Sequence, residues 1–183
     1  STLSSSSAAS DVYKRQLKDK PCNDCGGEYP SWMMEFDHLK NKTITIAKIR
    51  KQKWSKFRIL EELHYCELVC VGCHRLRTLE RSPEIKFDLS TRYGRNRAEI
   101  IAFLAKIKDN NCSDCGKKFH SCQMDFDHRP NEIKRYNISR MVGRGYCLSM
   151  IEKELAKCEL VCAWCHRIRT YIRKDYVKWM KQN

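Results

Sequence analysis

The chain carries the same cysteine pattern twice, and this pattern constrains its fold more than any other feature of its 183 residues. Each copy contains two Cys-x-x-Cys pairs: Cys22, Cys25, Cys70 and Cys73 in the first, and Cys112, Cys115, Cys162 and Cys165 in the second. A tight turn presents each pair of thiolates to one ion, and two pairs complete a tetrahedral zinc site. We therefore predict two structural Zn²⁺ ions, which supply folding free energy to units too small for a large apolar core.

The repetition extends beyond the cysteines. Two pairs of segments align without gaps, with 9 of 18 and 10 of 13 identical positions: 22–39 with 112–129, and 66–78 with 158–170. The offsets are 90 and 92 residues, so the second copy carries a two-residue insertion. Because internal repeats determine architecture, we predict two tandem modules. The predicted boundaries are a first module at 17–81, a linker at 82–98 and a second module at 99–183.

Local patterns predict an α+β fold. We predict two short strands, each followed by a basic helix: Cys66–Cys70 before His74–Glu80, and Cys158–Cys162 before His166–Lys181. Apolar residues at helical spacing predict a helix over Glu99–Lys108, and a capping box formed by Ser149 and Glu152 predicts a helix through Lys157. Cys66 and Cys158 share a strand face with a zinc ligand and are expected to be buried against the zinc module, with ligand exchange as the alternative.

Charge and composition exclude several classes of protein. The longest uncharged apolar run, Ile100–Ala105, is too short to span a bilayer, and there is no apolar signal segment near the N-terminus. We therefore expect a cytoplasmic protein without a membrane partner, where grouped cysteines hold metal; disulfides are the alternative. The net charge is +14, divided unevenly: residues 17–90 hold 14 basic and 11 acidic residues (+3), and residues 91–183 hold 20 and 10 (+10).

Residues 1–16 are expected to come from the sequencing procedure rather than from the natural gene. Ser6–Gln16 resembles an in-frame translation of a transposon-type sequencing-library adapter, with a natural serine-rich tail as the alternative. We therefore exclude residues 1–16 from the fold and expect a gene from environmental or transcript sequencing whose true start is missing. The first module is then expected to lack a helix equivalent to Glu99–Lys108.

Both copies also repeat an Asp-His pair and a later His, which together predict a second kind of metal site. These residues are Asp37, His38 and His74 in the first module and Asp127, His128 and His166 in the second. Asp supplies a hard oxygen for Mg²⁺, and His can act as a base near neutral pH. The later His directly follows a zinc ligand, so the zinc fixes its direction and leaves it available to a second, catalytic ion.

The order of cysteine pair, Asp-His, cysteine pair and His resembles that of the HNH, or His-Me finger, endonucleases, in the Cys₄-zinc form found in phage and mobile-element proteins. The resemblance covers nearly all of residues 17–170, in two copies. It implies two zinc-stabilised ββα-metal modules with flanking helices that hydrolyse DNA. By this resemblance His38 and His128 are the general bases, the zinc is structural, and Mg²⁺ or Mn²⁺ is held by Asp37, His74, Asp127 and His166.

One feature departs from that family. Its middle Asn, which braces a loop and orients the base, has no counterpart at the candidate positions: Tyr65, Val71 and Gly72 in the first module, and Lys157, Ala163 and Trp164 in the second. Basic residues on the helices that carry the later His are expected to bind DNA phosphates, with a solvated basic face as the alternative: Arg75, Arg77, Arg167 and Arg169.

Two other classes of function remain open. One is a zinc-ribbon protein that binds nucleic acid without cleaving it, and the other is a zinc-stabilised interaction module without a nucleic-acid partner. If the chain is an endonuclease, two modules on one chain can imitate a two-fold dimer, so a monomer would cut both strands.

Overall fold

The computed structural model describes the backbone over three stretches of the chain: 17–39, 56–84 and 86–180. Side chains are described over the same residues except 56–59 and 175–180. The adapter-like segment Ser6–Gln16 lies outside the described residues.

The chain divides into two compact units, Ser1–Arg77 and Thr78–Asn183, and each contains one β-hairpin. The first unit holds β1 (Met34–His38), α1 (Lys56–Leu63), β2 (Cys66–Cys70) and the start of α2 (Val71–Arg81). The second unit holds α3 (Arg92–Lys108), β3 (Met124–His128), α4 (Ile138–Gly143), α5 (Leu148–Leu155), β4 (Cys158–Cys162) and α6 (Ala163–Met180). The predicted α+β class is confirmed as two hairpins, each packed against helices.

The two hairpins have the same antiparallel register. In the first hairpin it runs from Met34 opposite Cys70 to His38 opposite Cys66, and β3 and β4 repeat this pairing. Residues directly opposite each other share a face of the sheet, while successive residues in a strand alternate between faces. Asp37 and His38 therefore point to opposite faces of the first hairpin, and their counterparts do so in the second.

Each second strand leads directly into a helix. β2 ends at Cys70 and α2 begins at Val71, while β4 ends at Cys162 and α6 begins at Ala163. The predicted strands are confirmed, but the helices begin three residues earlier than predicted. The second Cys-x-x-Cys pair of each module therefore joins the end of a strand to the first turn of a helix.

The second unit has two clusters of buried apolar side chains. One surrounds the cysteines and includes Met124 and Val161, with Phe119 and Trp164 packed against it. The other, which we call the helical cluster, joins α3, α4 and α5 through Ile100, Ile138, Met141 and Ile151. Phe126 of β3 also packs against the helical cluster, which therefore covers one face of the hairpin.

The described part of the first unit buries fewer apolar side chains, and they lie in or next to its hairpin and cysteines. They are Met33, Met34, Leu68, Val69 and Val71. The residues that correspond in sequence to α4 fall within 40–55, outside the described residues.

Besides α6, three helices of the second unit differ from prediction. α3 begins at Arg92 rather than Glu99, because Thr91 caps it and its Oγ1 accepts the Gly94 N–H at 3.0 Å. The capping-box prediction is wrong, since α5 begins at Leu148 with Cys147 as its N-cap. α4 has six residues, too few for periodicity to predict it. Over the described residues, no helix is long and apolar enough to cross a membrane.

Candidate metal centres

The four paired cysteines of the first module meet beside its hairpin. Cys22 and Cys25 lie in a tight turn in which Gly26 has a φ of 67°, a left-handed conformation that glycine adopts without strain. Cys70, at the end of β2, donates its N–H to Cys22 Sγ at 3.2 Å. Cys73 lies in the first turn of α2. The turn thus contributes two thiols to the group, and the strand and the helix contribute one thiol each.

The second module repeats this centre. Gly116 has a φ of 68°, and the Cys162 N–H donates to Cys112 Sγ at 3.2 Å. The Cys165 N–H donates to Cys162 Sγ at 3.4 Å, and the sulfur atoms of Cys115 and Cys162 are 4.0 Å apart. The same loop, strand and helix therefore build the same cluster in both copies.

Both groups have the dimensions of a Cys₄ zinc site. Within each group the four sulfur atoms lie within 4.8 Å of one another. Four thiolates at about 2.3 Å from a tetrahedral zinc ion lie about 3.8 Å apart. All twelve cysteines fall within the described residues, and all are free thiols, so no disulfide joins them. The geometry and the soft donor set are consistent with two structural Zn²⁺ ions.

Backbone hydrogen bonds favour ionisation of one thiol in each group. Burial opposes ionisation of Cys22 and Cys112, but the N–H groups around each sulfur outweigh it and lower the pKa of both to about 7. Burial and neighbouring cysteines instead raise the pKa of Cys73 and Cys165 well above the usual range. A divalent cation stabilises the four thiolates that these side chains cannot otherwise form together.

Cys66 and Cys158 do not belong to these groups. The Sγ of each donates at 3.4 Å to a helix carbonyl, that of Glu62 or of Glu154. Burial, followed by the negative charge of the same glutamate, raises the pKa of each thiol to about 11. Within its module, Cys158 packs against the helical cluster.

On one face of the second hairpin, an imidazole lies between two carboxylates. His166 Nδ1 is 2.7 Å from Asp125 Oδ2, and His166 Nε2 is 3.6 Å from Asp127 Oδ1. A carboxylate at Nδ1 makes that nitrogen a donor, and the other ring nitrogen, Nε2, faces Asp127. Asp127 and His166, predicted as ligands of one ion, are thus brought together.

The first module has the same arrangement. His74 Nδ1 bonds the carboxylate of Glu35, and His74 Nε2 is 3.4 Å from Asp37 Oδ1. Adjacent ligands of an octahedral ion with bonds of about 2.1 Å lie about 3.0 Å apart, so a small shift would admit one cation. Asp and His provide two protein ligands, and Mg²⁺ commonly completes its shell with water and phosphate. In the described part of the chain, only the cysteine groups bring three or more candidate ligand atoms within 4.8 Å of one another.

In the second module, the guanidinium of Arg169 is surrounded by carboxylates. Its guanidinium bonds Asp114 at 2.5 Å, Glu159 at 2.6 Å and Asp127 at 3.2 Å. Asp114 and the other two carboxylates raise the pKa of Arg169 above its usual value. Arg77 has the matching partners in the first module, namely Asp24, Glu67 and Asp37. Two of the four arginines predicted to bind phosphates, Arg77 and Arg169, therefore each form ion pairs with three acidic groups.

A further arginine holds the same carboxylate in the second module. Arg173 donates from Nη1 to Asp127 Oδ1 at 2.9 Å and from Nη2 to Asp127 Oδ2 at 2.8 Å. Burial opposes ionisation of Asp127, but Arg173 and Arg169 outweigh it and hold the pKa of this carboxyl below its usual range. A cation at Asp127 must therefore compete with Arg173.

The other two predicted phosphate ligands, Arg75 and Arg167, are half-buried on α2 and α6.

The predicted bases lie on the opposite face of each hairpin from the Asp–His pair. His128 Nε2 is 2.9 Å from Glu154 Oε1 of α5, and His38 Nε2 is 2.8 Å from Glu62 Oε1 of α1. The structure thus brings together the Asp and the helix His of each module, Asp37 with His74 and Asp127 with His166. The strand His, His38 or His128, instead bonds a glutamate on the other face of the hairpin.

Glu154 joins His128 to the loop that follows β3. Its side chain is 3% exposed, and its Oε1 also accepts the N–H groups of Arg135 and Tyr136 at 3.0 and 3.2 Å. Burial opposes ionisation, but hydrogen bonds from Lys157, His128 and these N–H groups lower the pKa of Glu154 to about 2. Glu154 therefore braces a loop and orients the strand His, the two roles that the family resemblance gives to the absent Asn.

Sequence reasoning missed the acidic partners of these sites. They are Asp24, Glu35, Glu62 and Glu67 in the first module, and Asp114, Asp125, Glu154 and Glu159 in the second. Each of these residues has an acidic counterpart at the aligned position of the other copy. The residue type is the same in three of the four pairs, and in the fourth Glu35 aligns with Asp125. Alignment of the two copies was the signal that could have identified them.

Comparison of the chain with protein-family models, curated proteins and solved structures gave no match. The resemblance to HNH endonucleases therefore stands on the motifs alone, and the choice of function depends on the geometry of the two centres.

Proposed function

We propose that the chain is a metal-dependent DNA endonuclease of the HNH type with one hydrolytic centre in each module. The observation that carries this proposal is the Asp–His pair with its supporting carboxylate. The pair recurs at the same place in both copies, with O···N separations of 3.4 and 3.6 Å. In each pair the imidazole is held at Nδ1 by a second carboxylate and turns Nε2 towards the Asp, an arrangement that a shared cation could use.

In each module the Asp and the helix His would hold Mg²⁺ or Mn²⁺: Asp37 with His74, and Asp127 with His166. When bound, the ion would stabilise the charge that develops on the phosphate and on the leaving 3′-oxygen. Glu35 and Asp125 keep the helix His in the tautomer that ligation needs. The adjacent cysteine in the zinc group fixes the direction from which the His approaches.

The strand histidines are the candidates for general base. Each bonds a glutamate through Nε2, and in this proposal the other ring nitrogen, Nδ1, would accept a proton from water. The carboxylate of Glu154 or Glu62 would stabilise the imidazolium that then forms. His38 and His128 are the last residues of β1 and β3, so a phosphate at that strand end can reach both faces of the hairpin.

Charge supports DNA as the substrate. The net charge of +10 over residues 91–183 favours a polyanionic partner. Because one centre serves one phosphate at a time, we propose that a monomer uses its two centres as a pseudo-dimer, one for each strand.

A second candidate function is a zinc-stabilised nucleic-acid-binding protein without activity. The bidentate contact of Arg173 with Asp127 favours it, because it neutralises the carboxylate that a cation would need. The same basic surface would then bind nucleic acid without hydrolysis.

Plasmid cleavage in Mg²⁺ or Mn²⁺ tests the proposal. Wild type should nick or linearise supercoiled DNA, and His74→Ala/His166→Ala should abolish this while the zinc content stays at that of wild type. His64→Ala, which changes an exposed histidine beyond α1, is the matched control and should cleave normally. Cleavage that survives the double change would contradict the proposal. DNA binding by wild type without cleavage in either metal would favour the second candidate.

A further inference from the structure

The second module contains a cavity of about 420 Å³ that lies outside the metal centres. Its walls come from the loop after β3, from α4 and from the residues just beyond α4. Six of its lining residues are basic or aromatic: Lys134, Arg135, Tyr136, Arg140, Arg144 and Tyr146. This volume is within the range of ordinary ligand sites.

The basic side chains of this cavity have no acidic partner among the described residues. Lys134, Arg135, Arg140 and Arg144 are exposed, and none forms an ion pair with a residue that the structure describes. Arg169, in contrast, is bound by three carboxylates. Four exposed positive charges around one concave surface concentrate positive potential, which attracts phosphate groups.

Two tyrosines form the aromatic part of the cavity. The ring centroids of Tyr136 and Tyr146 are 5.3 Å apart at an angle of 52°. Tyr146 packs against the helical cluster and is thereby fixed, while Tyr136 is 42% exposed. A rigid aromatic ring that supports a second, exposed ring next to basic groups is suited to stack an unpaired base.

The cavity is connected to the strand His of the second module. The N–H groups of Arg135 and Tyr136 bond Glu154 Oε1 at 3.0 and 3.2 Å, and the same oxygen lies 2.9 Å from His128 Nε2. One buried carboxylate therefore fixes both the cavity wall and the imidazole.

We infer that this cavity binds a single-stranded segment of nucleic acid, with its phosphates on Arg140 and Arg144 and one base stacked on Tyr136. In this form the inference rests on the proposed function, because it places the strand beside His128. A base within a duplex is stacked on its neighbours, so it cannot use the exposed face of Tyr136. Single-stranded or branched DNA therefore fits this site better than a continuous duplex.

Fluorescence anisotropy with a labelled 12-nucleotide single strand and its duplex tests this, using the full chain without added Mg²⁺ or Mn²⁺. Arg140→Gln/Arg144→Gln should reduce the slope of log Kd against log salt by about 1.4, since each phosphate contact to a single strand contributes about 0.7. Tyr136→Leu should weaken single-strand binding about tenfold, and Tyr136→Phe should leave it unchanged. Duplex binding should not respond to Tyr136→Leu.

Lys106→Gln/Lys153→Gln removes the same charge from exposed residues outside the cavity and is the matched control. An equal loss of slope in this control would overturn the inference, as would equal effects of Tyr136→Leu and Tyr136→Phe. Because binding is measured without a catalytic ion, it is independent of cleavage. Normal plasmid cleavage with none of these binding changes would refute the cavity alone, and the predicted changes without cleavage would refute the nuclease proposal alone.

Discussion

The two modules have nearly the same metal centres in different surroundings. The N–H to Sγ bond that joins the strand to the cysteine turn is 3.2 Å in both, and the bonds of the strand His to its glutamate are 2.8 and 2.9 Å. In the second module, the helical cluster forms a core that contains no zinc ligand, whereas the buried apolar side chains in the described part of the first module lie in or next to its hairpin and cysteines. The comparison shows that short local motifs determine the metal centres, while the net charge of the surrounding chain differs between the copies, +3 over residues 17–90 and +10 over residues 91–183.

Zinc removal should have the largest effect and should separate the two modules. Structural zinc contributes on the order of 10 kcal/mol to the folding of small zinc domains. Purified protein should contain two zinc ions per chain, and chelation should remove hydrogen-exchange protection from both hairpins. The helical cluster of the second module should keep part of its protection in α3 and α5. Protein without zinc, or equal loss of protection in α3 and the hairpins, would break the comparison.

Truncation in the helical cluster should affect the second module alone. Ile151 is fully buried, so Ile151→Ala should destabilise that module by about 2–5 kcal/mol. Urea unfolding monitored by hydrogen exchange should show no change in β1 and β2, and zinc content should stay the same. Ile172→Ala, at a position 60% exposed on α6, is the control and should cost less than about 0.5 kcal/mol. A matching loss of stability in the first hairpin would contradict this prediction.

Glu154→Gln should have a smaller effect, with a defined pH dependence. Gln keeps the shape but loses the charge that Lys157 and His128 contact, so the cost at pH 7 should be about 1–3 kcal/mol. The pKa of Glu154 is lowered from 4.5 to about 2 on folding, so its contribution is present above about pH 4.5 and is lost as the pH falls towards 2. The difference in unfolding free energy between wild type and variant should therefore shrink on acidification. Loss of zinc in acid affects both proteins and cancels from the difference, and a difference that is independent of pH would contradict this role.

The sequence was sufficient to predict the cysteine groups and the second strand of each hairpin, because these features are local. Spacing alone placed Cys22 and Cys25 in one turn, and the run from Cys66 to Cys70 has the length of a strand. The first strands were predicted only through the family resemblance, since Met34–His38 does not stand out by alternation of apolar and polar residues.

Pairing of charges could not be predicted in the same way. Arg77 and Arg169 were assigned to phosphates because their positions on a helix do not indicate what the opposite strand presents. The antiparallel register places Glu67 next to Asp37, and it places Glu159 next to Asp127, so each arginine meets a pair of carboxylates. Alternation in β1 and β3 likewise separates each Asp from the adjacent His, a fact that their adjacency in sequence conceals.

The smallest predicted effect concerns competition at Asp127. Arg173 is 40% exposed, and ion pairs of this kind contribute about 0.2–1 kcal/mol, so Arg173→Gln should tighten Mn²⁺ binding at the second module by up to about fivefold. Titration of Mn²⁺ monitored by electron paramagnetic resonance measures this affinity. Lys174→Gln, a change of the exposed neighbour, should leave it unaltered. Weaker Mn²⁺ binding in Arg173→Gln would show that Asp127 is not an ion ligand.

Plasmid topology over time tests most directly whether each module is a working centre. Wild type should produce nicked circles and then linear DNA. His38→Ala and His128→Ala should each stop at nicked circles, because one centre remains for one strand, and the double variant should cut neither strand. Linear product from monomeric His38→Ala at the wild-type rate would contradict two equivalent centres and would leave the first module as a binding arm.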